Sequence, residues 1–93
     1  MPQVFKIGSY IVYFWINEGK PLEAIHVHIA EGIPTANGVK VWITQSGKCL
    51  LANTKNAAIP LYKLRIILDV IEAQHTIIEQ KWLGAFGEIT YYC

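Results

Sequence analysis

The chain has little charge, little cysteine and no long apolar run, and each shortage removes a class of protein. Charged residues make up 16% of its 93 residues and the net charge is +1. That balance supplies no broad cationic footprint for duplex DNA, although it is compatible with a local basic patch. The two cysteines, Cys49 and Cys93, stand far apart without CxxC or Cys/His zinc spacing, which reads as reduced thiols rather than a disulfide framework. The longest apolar run near the start, 10–16, is too short to span a bilayer or to serve as a signal, and only Lys6 precedes it as a positive flank. The chain therefore reads as cytoplasmic, without a membrane partner. It shows no repeats, linkers or low-complexity tracts, and none of its motifs calls for a cofactor.

What the chain has in quantity is apolar surface. Hydrophobic residues are 53% of the total, which excludes disorder. A chain of this length makes one domain, 1–93, with few fully buried positions. The apolar excess must then coat the surface, where it invites a partner.

Strand signals fill the first half. Residues 3–7 precede the turn pair Gly8-Ser9. Residues 10–17 are β-branched and aromatic and end at "NEGKP". Residues 24–30 carry "HVHI" and end at "EGIPTANG", where Asn37-Gly38 offers positive-φ hairpin chemistry; residues 39–44 end at Ser46-Gly47. Connections this short predict an antiparallel meander. The stretch 48–59 reads as a short fifth strand and then a loop. From Pro60, a residue suited to a first helical position, Leu61, Leu64, Leu68, Ile71, His75, Ile78 and Trp82 recur at steps of three and four. That spacing predicts one long helix over 60–83, closed by Gly84 and Gly87. The last residues, "EITYYC", read as a short edge strand. The fold class is α+β: three to five antiparallel strands with one long helix packed on one face.

Alternation along a strand sends neighbours to opposite faces. Tyr10, Val12, Phe14, Ile16, Ile25, Val27, Ile29, Val39, Val41 and Ile43 form an aliphatic and aromatic face that should meet the helix, at roughly 1.5–3 kcal/mol per large side chain. Tyr13, Trp15, His26, His28, Lys40 and Trp42 then share the side the single helix leaves uncovered. Aromatic rings beside two imidazoles and an ammonium have the composition of a contact surface.

His26 and His28 admit three readings. They are half-exposed strand residues without a role, or a metal pair, or an acid–base pair. His-x-His on a strand presents both rings on one side, but a zinc site needs a third protein ligand, and none is in register: His75 belongs to the helix stripe, and Glu23 and Glu31 point with the aliphatic face. Acid–base work needs no third ligand. Two imidazoles near Lys40 suffice for phosphodiester cleavage of RNA. His75, a polar ring in an apolar stripe, reads as a satisfied core histidine.

Two resemblances follow from these residues. "HVHI" is similar to the opening of the histidine-triad nucleotide hydrolase motif, but its third alternating position is Ala30. Over nearly the whole chain, "MPQVFKIGSYIVYFWINEGKP", "HVHI", "VKVWI" and "EQKWLGAFG" together resemble the small bacterial domain-of-unknown-function family four-one-six-zero. That family has a Phe-rich second strand, a Pro-His-Val-His motif and a late Trp, here Trp82, and its Asn-Asp turn corresponds to Asn17-Glu18. The proline before the histidines is replaced by Ile25, Pro21 lies earlier in a longer loop, and "GIPTANG" is enlarged. The resemblance implies a component of a small two-gene cassette of the toxin–antitoxin type.

The functional expectation is a toxin–antitoxin-like component whose open sheet face binds RNA or a small cognate protein. In it Tyr13, Trp15 and Trp42 stack or pack, Lys6 and Lys40 attract phosphate, and His26 and His28 bind or catalyse. The alternatives are a non-enzymatic module that self-associates as a homodimer through the same face, and a His-x-His metal-binding protein.

Overall fold

A computed structural model of the chain describes residues 3–16, 23–35, 38–53 and 59–93. The expected turn "NEGKP", the end of the second strand at Asn17 and the Asn37 half of the hairpin turn lie outside the described residues.

Five strands, β1 (Gln3–Ile7), β2 (Tyr10–Tyr13), β3 (His26–Glu31), β4 (Val39–Ile43) and β5 (Cys49–Asn53), lie in the sheet in chain order. Every neighbouring pair is antiparallel, as connections too short for a crossover require. The expected short fifth strand is thus β5; residues 54–58, where a loop was expected to follow, lie outside the described residues. β2 is shorter than its apolar run, because Phe14 and Trp15 leave the ladder after Tyr13 pairs with His28. Gly38 does not supply a positive φ. Its need is space: a Cβ there would stand 2.5 Å from Tyr13 Oη and 3.0 Å from Ile29 O.

Strand parity divides the sheet as its pattern predicts. Val12, Phe14, Ile25, Val27, Ile29, Val41 and Ile43 are buried in one cluster with Leu64, Ile67, Ile71, Ile78 and Trp82 from the helical half. That half is two helices, α1 (Leu61–Ala73) and α2 (His75–Phe86), where one helix was expected. The joint is Gln74, at φ −110° and ψ 20°. The hydrogen-bond ladder almost survives it, since Gln74 N–H bonds Val70 O at 2.9 Å and Ile78 N–H bonds Gln74 O at 3.4 Å. No proline or glycine lies there to announce the bend. A straight helix from 61 to 86 would run about 39 Å, beyond the 33 Å longest extent of the fold, so bending keeps Ile78 and Trp82 on the sheet. Leu61, expected in the stripe, is exposed, and Ile67 takes the buried place; Ile16, expected on the helix side of the sheet, is exposed because it lies past the end of β2.

Both sheet edges receive a charged side chain from a helix. Glu72 Oε2 accepts the Cys49 N–H of β5 at 2.9 Å, and Lys81 Nζ donates to Gln3 O of β1 at 3.3 Å. Such contacts blunt edge-to-edge pairing. The expected edge strand at 88–93 does not form. That segment instead crosses the ends of β3 and β4, where Thr90 O accepts Ile25 N–H (2.8 Å) and Cys93 O accepts Gln45 N–H (3.1 Å).

Candidate functional site

Residues directly opposite one another on adjacent strands share a face. Tyr13 pairs with His28, His28 with Lys40 and His26 with Trp42, so the structure assembles these candidates in one layer, on the side away from α1. Lys6 pairs with Ile11 and therefore shares the face, but it is exposed on β1 with two strands between it and Lys40.

The layer is closed, where an open face was expected. Tyr13 and His26 are fully buried and His28 is 8% exposed. The cover comes from the chain itself. Tyr13 Oη donates to Thr35 O at 2.6 Å and accepts from Thr35 N–H at 3.0 Å, so the residues after β3 fold back over the face. One helix pair covers only one side of a sheet; on the other, Thr35 closes over Tyr13 and Tyr92 lies on Trp42.

Ring contacts run continuously through the layer. Trp15 meets Tyr13 edge-on at 5.4 Å, and Tyr13 stacks on His28 at 5.5 Å. His28 meets His26 at 5.1 Å, and His26 meets Trp42 at 5.6 Å, both T-shaped. Trp42 then stacks on Tyr92 at 4.8 Å with the planes 6° apart. His26 also meets Trp82 of α2, at 5.3 Å. Because β2 stops opposite His28, no strand among the described residues flanks His26 on that side, where the Trp82 indole from the helix layer meets it. Trp82 Nε1 has no hydrogen-bond acceptor among the described residues; the rings of His26, Phe14 and Phe86 lie around it.

The polar atoms are equally constrained. A carbonyl can only accept, so His26 Nδ1–H donates to Ala24 O at 2.9 Å. His26 Nε2 then faces Glu23 Oε2 at 4.0 Å. The other Glu23 oxygen holds Lys40 Nζ at 3.0 Å, and the same ammonium lies 4.4 Å from the Trp42 ring centre. Lys40 is thus an ion-pair and cation–π partner within the layer.

Glu23, Leu50 and Tyr92 join the layer without having been among the expected site residues. Glu23 was placed with the aliphatic face, but β3 starts at His26 and residue 25 is a bend, so strand parity does not reach Glu23. Tyr92 follows from alternation in the last segment: Ile89 and Tyr91 pack on the helix-side core, which sends Tyr92 the other way.

His75 is half-buried at the joint between α1 and α2, where a place in the core was expected. Its Nδ1 lies 3.0 Å from Glu79 Oε1, and its ring fills the space a Cβ on Gly47 would need, 2.7 Å from Nε2. Tyr91 Oη donates to Glu79 Oε2 at 2.7 Å; that hydrogen bond, followed by burial and the carboxylate charge, pushes the phenol above its ordinary value. Burial first, and the adjoining Glu72 carboxylate second, push the Cys49 thiol up to about 12. Among the described residues no three His, Cys, Asp or Glu side chains are grouped to hold a metal ion, and no helix is long and apolar enough to cross a membrane.

A family model described as "Domain of unknown function (DUF4160)" matches residues 9–83, well over half of the chain. No curated protein and no solved structure matches it.

Proposed function

The chain belongs to the domain-of-unknown-function family DUF4160, and from that premise we propose that it is the binding component of a small toxin–antitoxin-like module, acting in the cytoplasm on a protein partner. The contact is the corner of the second layer formed by Trp42, Tyr92 and Leu50. Leu50 pairs across the strands with Trp42 and is 44% exposed, and Tyr92, stacked on the same indole, is 61% exposed. Aromatic and aliphatic side chains left uncovered beside a closed layer carry the reading, because such clusters supply most of the energy of protein interfaces.

A protein suits this corner better than RNA. Lys40 is paired with Glu23, and Lys6 on β1 has two strands between it and β4, so neither ammonium expected to attract phosphate is free at the corner. The reading assigns His26 and His28 to the architecture of the layer. His26 is fully buried and His28 nearly so, which sets both rings back from a phosphodiester in solution.

The experiment is to co-produce the chain with the product of the small reading frame beside its gene and measure the complex by calorimetry. Trp42→Ala should weaken it by about thirtyfold, the effect of losing an aromatic hot spot. Full affinity in that variant removes the proposal. Equal binding of single-stranded RNA at physiological salt would move the assignment to nucleic acid. A stable dimer of the chain alone, with Trp42 shielded, would favour the self-associating module.

A further inference from the structure

Resting on that reading, the last residues suggest what the corner recognises. We propose that Tyr92 holds, on the face of Trp42, the place of an aromatic side chain of the protein partner, and that it swings away when the partner binds.

Four observations carry this. The Tyr92 ring lies within 6° of parallel to Trp42 at 4.8 Å, the arrangement a planar group from outside would adopt. The ammonium beside the Trp42 ring is already paired with Glu23, which favours an uncharged ring over an ionic group. The anchor of the last segment precedes Tyr92: Tyr91 is bound to Glu79 and packed with Ile89 on the core, and Thr90 holds Ile25. Beyond that anchor, the stack on Trp42 and the bond from Gln45 N–H to Cys93 O are the contacts to be given up. The family match, finally, ends at residue 83, so the ring on Trp42 comes from outside the matched region.

Hydrogen exchange and a small aromatic probe test the claim without the partner. In the unmodified chain the Gln45 N–H should exchange at least about tenfold faster than the Ile25 N–H, although both bond the same segment, because only 92–93 open locally. Tyr92→Ala should speed Gln45 further and leave Gly47 unchanged, since the Gly47 N–H bonds Thr44 O. p-Cresol, the side chain of tyrosine, should bind Tyr92→Ala saturably and shift the Trp42 indole NMR signal, with at least about tenfold weaker binding to the unmodified chain. Gln45 and Ile25 exchanging together would overturn the proposal, as would p-cresol leaving Trp42 of the variant undisturbed. If these results hold and Trp42→Ala still binds the partner fully, the ring exchange stands and the partner assignment fails.

Discussion

The closure of the second layer depends on one phenol and one missing side chain, and a double-mutant cycle measures both. Tyr13→Phe keeps the ring against His28 and Trp15 but removes the oxygen that bonds both backbone groups of Thr35. Thr35 is exposed and can turn to water, so the expected cost is about 1–2 kcal/mol. Gly38→Ala places a methyl 2.5 Å from the same oxygen, 3.0 Å from Ile29 O and 3.3 Å from His28 Cβ. Overpacking of this kind costs about 1–3 kcal/mol. The double variant has lost the closest of the three contacts, so it should be about 1 kcal/mol more stable than the sum of the single changes requires. Urea unfolding at equilibrium, with a common slope for all four proteins, reads the coupling directly. Strict additivity would mean that Tyr13 Oη does not face Gly38, and the closed layer would have to be abandoned.

His26→Ala removes a fully buried ring wedged between Trp42, Trp82 and His28, and should cost about 2–4 kcal/mol by urea unfolding; a neutral result would contradict its placement. Cys93 is exposed and Cys49 carries a thiol pushed up to about 12, so a thiol-specific reagent at neutral pH should label Cys93 quickly and leave Cys49 unmodified until the protein unfolds. The Glu72 carboxyl is held below its ordinary value, chiefly because it accepts the Cys49 N–H. Its contribution to stability is therefore present above the ordinary carboxylate range and is lost as pH falls through the lowered folded value, so Glu72→Gln should flatten the acid side of the stability profile.

Much of this arrangement is legible from alternation. The faces of β2, β3 and β4 follow from period two, and with them the grouping of Tyr13, His26, His28, Lys40 and Trp42. What alternation does not contain is cover. The loop lies over Tyr13 through the backbone of Thr35, and a backbone contact leaves no mark in the pattern of side chains. The same holds for the bend at residue 25, which turns Glu23 toward Lys40, and for Gln74, where the helix bends to stay on the sheet without a residue that signals it. Tyr92 was within reach: once Ile89 and Tyr91 are taken as core residues, alternation carries the ring at 92 to the opposite side.

The most direct test of the account is hydroxyl-radical footprinting of the intact chain, read residue by residue by mass spectrometry. Tyr92, Leu50 and Trp42 should be oxidised readily, while Tyr13, His26 and Trp82 stay protected until the protein unfolds. Oxidation of Tyr13 and His26 at the rate of Tyr92 would show an open histidine face and contradict the account.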